Sequence, residues 1–528
     1  MQLEIDRSRK EPVHRQICAR LREMIDTGAL PAGTRLPPTR LMARDLGVNR
    51  ATVTAAYDAL GTLGYVEATV GRGTFVRPNP TSAVSPRAEE EASRTLGRHA
   101  SNSNDGRPRS GTGTGAWLPS FSRGIDNLAN YPTREKLAID HPQPVDFAAL
   151  FPEEDFFPVD IFGGLMADIL SRRGRELLQY AAPEGDPDLR AFIADELRRA
   201  DTPVGPEDIL IVNGAQQGID LLLRVFIDPG DPVVVESPTY WSILPALAFY
   251  RADVVGVPMT PSGMDIDLLA GILHKRRPKL IYTMPNFQNP TGVTMNLETR
   301  RRLVALARQH AVPIIEDDYE KDLRLLGKRL PSLKALDPSG MIMHLGTFSK
   351  GLFPGLRLGW IAAPPAVLER LSLLKRYSDL HTSTLAQAVI AAFCLEGHYE
   401  RHLKKLHRIY RERRDCVLGA LEQHFPSEVN WTRPDGGYAL WVSLPAALHV
   451  PELLVEARKE GVIFTPGNYF FDGEPQQNGF RLSIARTDQS AIERGVEVLG
   501  RLIRRRLRNG KNRQQPQQGA TPRALPHL

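Results

Sequence analysis

The segment SNSNDGRPRSGTGTG at 101–115 constrains the fold more than any other feature of the chain. It holds no bulky apolar side chain, so it cannot bury enough surface to offset the entropy lost on ordering. A chain of 528 residues interrupted in this way does not share one core. It divides into a small unit over 1–77, a flexible linker over 78–140 and a large unit over 141–506. A Gln-, Pro- and Arg-rich end over 507–528 reads as a disordered tail. The chain as a whole is 42% hydrophobic and 24% charged, ordinary for globular domains, so both units can carry cores. No apolar run is long enough to cross a bilayer, and residues 1–10 lack the apolar centre of a signal peptide. A cytoplasmic protein with no membrane partner is expected. Cys18, Cys394 and Cys416 are scattered without metal-ligand spacing, so no metal site is expected. The net charge of +6 permits nucleic-acid binding without arguing for it.

Within 1–77, Val13, Ile17, Leu21, Met24 and Ile25 recur at helical spacing, with Arg and Glu on the other face. Pro37 and Pro38 open a second short helix over 39–46, which Gly47 breaks. Asn49 is placed to cap a third helix over 50–60, and glycines 61 and 64 close it. Two short helices joined by a tight glycine turn fit a helix-turn-helix, whose second helix offers its first turn to the DNA major groove. Residues 65–68 and 74–77 then bracket 70–73 as a hairpin with a basic tip. The run RLPPTRLMARDLGVNRATVTAAY at 35–57, with GY at 64–65 and GRGTFV at 71–76, closely resembles the winged helix of the GntR regulators over about 10–77. That resemblance implies a double-stranded DNA operator as partner. It also implies Arg40 and Arg50 as base or phosphate contacts, Thr52 and Thr54 on the groove face, and Gly71, Arg72 and Gly73 at the minor groove. Arginine suits such work because its planar fork pairs with guanine edges or phosphate.

From 145 onward short apolar strand patterns at 209–212, 232–236, 280–284 and 312–316 alternate with helical stretches, as in an α/β domain with a mainly parallel sheet. The strongest motif is GTFSKGLFPGLRLGW at 346–360. A lysine in a Ser/Thr/Gly-rich turn, followed by an arginine, suits a phosphorylated aldehyde: the amine forms a Schiff base while hydroxyls and guanidinium hold phosphate. Upstream, IIEDDY at 314–319 puts carboxylates at the end of an apolar strand, where one can pair with a protonated pyridine nitrogen. NFQNPTG at 286–292 offers an amide, and NGAQQG at 213–218 opens a helix whose N–H groups can meet a phosphate. Singly these are weak signals; their order and their placement at strand ends carry the reading.

The ordered set resembles the fold-type I aminotransferases over about 145–505, especially the kynurenine and α-aminoadipate branch, with a small C-terminal α/β subdomain after the main sheet. By that resemblance pyridoxal 5′-phosphate is the cofactor, Lys350 its Schiff-base lysine and Asp317, rather than Asp318, the pyridine partner. Asn289 and Tyr319 meet the ring hydroxyl, and Tyr240 stacks on the ring. Ala215, Gln216, Thr347, Ser349 and Arg357 form the phosphate cup, and Tyr180 reaches the phosphate of a neighbouring subunit, which implies a homodimer. Arg481 clamps a carboxylate of substrate or effector. The glycine that usually precedes Leu-Phe-Pro is absent from VDFAALFP at 145–152.

A GntR-type head on an aminotransferase-like body is the layout of the MocR (GabR-like) regulators, a resemblance that spans nearly the whole chain. It implies a regulator that senses a small amino-group effector through an external aldimine at Lys350. Two further readings stay open at this level: a working aminotransferase with an autoregulatory DNA-binding head, and a body that serves as a cofactor-free scaffold.

Overall fold

The computed structural model describes residues 12–26, 30, 34, 36–62, 65–69, 73–76, 122–128, 131 and 141–514. The chain separates into two compact units, Met1–Phe121 and Ser122–Leu528.

The first unit is built from α1 (Val13–Asp26), α2 (Thr39–Leu46), α3 (Arg50–Thr62) and the strands β1 (Val66–Thr69) and β2 (Gly73–Val76). The expected caps of α2 and the start of α3 are where the sequence asks for them, but α3 runs through Gly61 to Thr62 instead of closing after Leu60, and Gly64 lies outside the described residues. Pro38 precedes α2, Gly47 ends it in the left-handed conformation at φ 62°, and the Asn49 side chain accepts from Ala51 N at 3.1 Å. Ile17 and Leu21 of α1, Met42 of α2 and Val53, Ala56 and Leu60 of α3 form one buried cluster. Tyr57 donates to the Pro37 carbonyl at 2.8 Å, tying α3 to the chain entering α2. β1 and β2 pair antiparallel from Val66↔Val76 to Thr69↔Gly73, the wing of a winged helix-turn-helix. Gly71 and Arg72 lie outside the described residues.

The second unit is organised on an eight-stranded sheet of β4 (Ile209–Val212), β5 (Pro232–Ser237), β6 (Asp253–Thr260), β7 (Gly263–Met264), β8 (Leu280–Thr283), β9 (Ile314–Asp317), β10 (Ile342–Thr347) and β11 (Gly359–Ala362), after the short β3 (Val145–Asp146). The spatial order is β4-β11-β10-β9-β8-β5-β6-β7. Neighbours from β10 to β6 are parallel, while β11 runs antiparallel to both β10 and β4. Every residue of β4, β8 and β9 is buried, as expected of strands covered by helices on both faces. A smaller antiparallel sheet follows, β12 (Asn430–Trp431), β13 (Ala439–Ser443), β15 (Thr465–Pro466) and β16 (Gly479–Ser483), and β14 (Val462–Ile463) pairs back onto β3. This is the α/β fold of the fold-type I aminotransferases. Among the described residues no helix is long and apolar enough to cross a membrane.

Two edges differ from the sequence reading. Inside the stretch taken as linker, Arg123–Leu128 forms a helix packed on the helix Ile243–Phe249, and Asn127 Nδ2 donates to the Ala248 carbonyl at 2.9 Å. Glycine permits the approach, since a Cβ on Gly124 would lie 2.7 Å from the Phe249 carbonyl oxygen. Inside the stretch taken as tail, the last helix, Gln489–Gln514, continues beyond 506. Leu502 and Ile503 are buried in the main core with Leu507 against it, and Arg506 pairs with Glu452 and Glu456, so packing and ion pairs carry the helix past the expected end.

Candidate functional site

Parallel strands place their carboxyl ends along one edge, where loops converge and a ligand can be gripped from several elements at once. Here the ends of β4, β5, β8, β9 and β10 surround a cavity of about 170 Å³. Ala215, Gln216, Tyr240, Asn289, Asp317, Tyr319, Thr347, Ser349, Lys350, Arg357 and Arg481 all line it. These include every expected cofactor residue except Tyr180, drawn together from segments far apart in the sequence.

At one end of the cavity β4 runs through Gly214 into the helix Ala215–Phe226. Gly214 has φ 78°, and a Cβ there would fall 2.4 Å from Arg357 Nη2. The glycine thus lets the guanidinium lie against the helix start, where the first N–H groups have no intrahelical partner. The turn after β10 is knitted by its own hydroxyls: Thr347 Oγ1 donates to the Leu358 carbonyl at 3.0 Å and lies 3.0 Å from Ser349 Oγ. Among the described residues Arg357 makes no ion pair, and its Nη1 donates to the Pro354 carbonyl at 3.2 Å. Helix N–H groups, two hydroxyls and a guanidinium without a carboxylate make a cup for a dianionic group. A Gly214→Ala protein is therefore expected to hold a phosphorylated ligand about tenfold more weakly, from the strained φ and the displaced arginine. Titration of pyridoxal 5′-phosphate against wild type measures it, and equal affinity would remove Gly214 from the design of the cup.

At the other end Asp317 is buried at the tip of β9. Its Oδ2 accepts from Tyr282 Oη at 2.6 Å, and its Oδ1 has no hydrogen-bond partner among the described residues. Burial raises its pKa to about 6, with the hydrogen bond from Tyr282 working against that rise. Asp318 points elsewhere and accepts from Asn286 Nδ2 at 2.8 Å. Lys350 Nζ donates to the Leu150 carbonyl at 2.5 Å. Arg481 is 2% exposed and donates to Asn289 Oδ1 at 3.0 Å, the Ala148 carbonyl at 2.6 Å and Thr465 Oγ1 at 3.0 Å. Tyr319 Oη donates to the Phe287 carbonyl at 2.9 Å.

Two families of known proteins match separate stretches of the chain. Residues 165–499 match the family of aminotransferases class I and II, and residues 14–76 match the bacterial regulatory proteins of the gntR family. The aromatic-amino-acid aminotransferase 1 of Thermococcus litoralis is 37% identical over 69% of this chain and 89% of its own. The α-aminoadipate aminotransferase LysN of Thermus thermophilus, solved with N-(5′-phosphopyridoxyl)-L-leucine, superposes with a TM-score of 0.69 at 35% identity over 74% of this chain and 99% of its own. Neither match spans the whole chain. The probable rhizopine catabolism regulatory protein MocR of Rhizobium meliloti matches nearly all of it, at 32% identity over 94% of this chain and 95% of its own.

The chain belongs to the MocR-type GntR regulators.

In this MocR-type regulator the cavity fits pyridoxal 5′-phosphate. An acceptor oxygen, Asp317 Oδ1, is buried without a donor, an amine lies in the same cavity, and the cup for a phosphate sits at the far end. Tyr180 stands apart. It is 77% exposed, edge-on to His381 with ring centroids 6.0 Å apart, and lines a separate hollow with Arg376 and Leu380. Within one chain Tyr180 therefore does not line the cavity that holds Lys350.

In the head of the regulator, Arg50 is exposed at the start of α3 with its Nε donating to Thr39 Oγ1 at 3.3 Å. Arg40 lies in the first turn of α2, and nothing further of its side chain is described. At 100° per residue, Val53, Ala56, Tyr57 and Leu60 face the core, and Ala51, Ala55 and Asp58 form the exposed stripe. Thr52 and Thr54 are both half-buried and flank that stripe from opposite sides; Thr54 Oγ1 donates to the Arg50 carbonyl at 3.1 Å. Gly73 opens β2. An Arg50→Ala protein is expected to lose about tenfold in operator affinity by fluorescence anisotropy, with ligand binding in the second unit unaltered. Unchanged affinity would take Arg50 off the DNA-facing surface.

Sequence reasoning passed over Tyr282, whose hydroxyl orients the carboxylate of Asp317. A signal existed: a tyrosine in a wholly buried strand needs a partner for its hydroxyl. Tyr282 pairs with Ile315 in the β8–β9 register, so it shares a sheet face with Asp317 two residues on. Leu150, Phe151 and Trp241 were also missed as cavity walls. The expected glycine before Leu-Phe-Pro is Ala149 here, and the flanking carbonyls of Ala148 and Leu150 accept from Arg481 and Lys350.

Proposed function

We propose that this chain is a DNA-binding regulator whose second unit binds pyridoxal 5′-phosphate at Lys350 and answers a small amino-group effector. The observation that carries the reading is one cavity lined by Lys350, Asp317 and Arg357 on a chain that also carries a winged helix. When bound, the cofactor supplies an aldehyde that condenses with amines and a ring that withdraws electrons. Lys350 supplies the amine that holds it covalently. Asp317 Oδ1 accepts the ring N–H, the helix start at Ala215 and Gln216 with Thr347, Ser349 and Arg357 holds the phosphate, and Tyr240 and Asn289 orient the ring. Arg481, already turned toward the cavity, offers its fork to an effector carboxylate. Tyr180 of a second copy completes the phosphate cup, so the working form is a homodimer with shared sites. Two heads on one dimer then favour paired operator half-sites.

A second reading has a specific observation in its favour. Lys350, Asp317, Asn289 and Arg481, the groups a transaminase needs, all line the same cavity. In that reading the body is a working aminotransferase and the head regulates its own synthesis.

One experiment separates the two. A duplex selected from a random pool by the purified full-length protein serves as operator, and its affinity is measured with the cofactor-loaded protein in the presence of carboxylate-bearing amines. An amine that shifts DNA affinity while no keto acid accumulates supports the regulator. Steady keto-acid production from an amine and a keto-acid acceptor supports the enzyme, and indifference of DNA binding to every amine removes effector sensing.

A further inference from the structure

A regulator of this design needs a physical path from the cavity to the chain that leads to the head. The described part of the tether supplies a candidate at two points. The first is the helix Arg123–Leu128, held on the helix Ile243–Phe249 by Asn127 and by the close approach at Gly124. The helix it rests on begins three residues after Tyr240 and two after Trp241, both of which line the cavity. The second point is Tyr131, half-buried against the main core, where burial and the neighbouring Asp472 carboxylate push its hydroxyl pKa up to about 12.

Asp472 follows directly on a segment bound to the cavity from several sides. Thr465 accepts from Arg481, and the Phe470 ring lies 5.4 Å from the Arg481 guanidinium. The Phe470 carbonyl accepts from Thr239 N at 2.9 Å, next to Tyr240. Phe470 and Phe471 are buried with Trp441, against Trp241 and Tyr469. The segment is also confined in its backbone, since a Cβ on Gly467 would fall 2.4 Å from the Gly479 carbonyl. Both anchor points of the tether therefore rest on elements whose other ends touch the groups proposed to hold cofactor and effector.

We infer that residues 122–128 with Tyr131 are the reading element of this regulator: their docking through Asn127 and through Tyr131 beside Asp472 tightens or loosens with the occupancy of the cavity beside Tyr240 and Arg481. This inference rests on the proposed cofactor site. Closely packed elements transmit displacement rather than absorb it, because their interior has little free volume. Filling the cavity fixes Tyr240 and the 465–472 segment, which lowers the frequency with which the docked tether opens. Residue 122 opens the second unit and the chain before it carries the head, so a change in docking acts at the junction of the two units' sequences.

The test uses the full chain and pyridoxal 5′-phosphate as the probe. Hydrogen exchange of 122–131 is followed by mass spectrometry in cofactor-free and cofactor-loaded protein, with loading scored separately as the borohydride-trapped adduct on Lys350. In wild type, loading is expected to slow exchange of this segment by about threefold or more. Tyr131→Phe removes only the hydroxyl and Asp472→Asn only the charge. Either is expected to speed exchange of the segment and to abolish the difference between loaded and free protein, with the Lys350 adduct formed as in wild type. A full Lys350 adduct with no change of exchange at 122–131 in wild type overturns the inference while leaving the cofactor site standing. A loading effect that survives intact in both variants also overturns it. Absence of any adduct on Lys350 sinks the cofactor site and this inference together.

Discussion

Lys350→Ala is expected to abolish the borohydride-trapped pyridoxyl adduct completely and, with it, any response of DNA binding to amines. Among the described residues lining the cavity Lys350 is the only lysine, so no neighbour can replace it as the covalent anchor. The fold should survive. Lys350 Nζ donates to a backbone carbonyl, while the turn that carries it is held independently by Thr347 with Leu358 and by Tyr438, whose hydroxyl donates to the Lys350 carbonyl at 2.5 Å. Operator affinity of the cofactor-free variant should equal that of cofactor-free wild type, because the head has its own core. The measurement is mass spectrometry of the reduced protein beside an anisotropy titration. An adduct on another lysine would displace Lys350 from its role, and loss of cooperative unfolding would make it a structural residue.

Asp317→Asn is expected to weaken pyridoxal 5′-phosphate by about 10- to 100-fold, the range for losing a buried charge-assisted hydrogen bond. The amide can still accept from Tyr282, but it turns a donor toward the ring nitrogen and no longer favours its protonated form. The pH dependence follows from the same group. Burial raises the Asp317 pKa to about 6, so the ligand-free folded protein retains a proton that the unfolded chain gives up at lower pH. Between the ordinary aspartate range and about 6 the raised pKa makes the ligand-free fold less stable as pH rises. Cofactor binding has the opposite slope, since accepting a ring N–H requires the ionised carboxylate. Wild-type affinity should climb as pH rises through about 6 and then level off, whereas the Asn variant should lack this inflection. Titrations on either side of that pH decide it, and a variant with the wild-type inflection would assign the titration to another group.

How far the sequence reached is best seen at particular residues. Gly47, Asn49 and the paired prolines act within a turn or two of themselves, and the helix ends they mark came out as read because capping and φ preferences are local. The strand ends near Val212 and Glu316 were legible for a similar reason, since short apolar runs end where polar turn residues begin, whereas the strand Ile342–Thr347 that carries the lysine turn was not among those read. Once a parallel sheet is granted, residues at those ends must meet at one edge, and ten expected cofactor residues with Arg481 do line one cavity.

What only the tertiary structure decided are the pairings between distant segments. Tyr282 meets Asp317 because β8 lies beside β9 in a register that sets their side chains on one face, and no property of either strand alone states that register. Arg481 is bound to Asn289, Ala148 and Thr465, three contacts supplied by three different segments. Asp317 and Asp318 are equivalent as letters, and the alternation of a strand turns one into the cavity and the other away. The helix at Arg123–Leu128 and the last turns of Gln489–Gln514 are polar segments that composition alone assigns to linker and tail. Arg123–Leu128 and the helix as far as Leu507 are ordered because a surface exists elsewhere in the second unit to receive them, and packing against that surface outweighs a weak local preference.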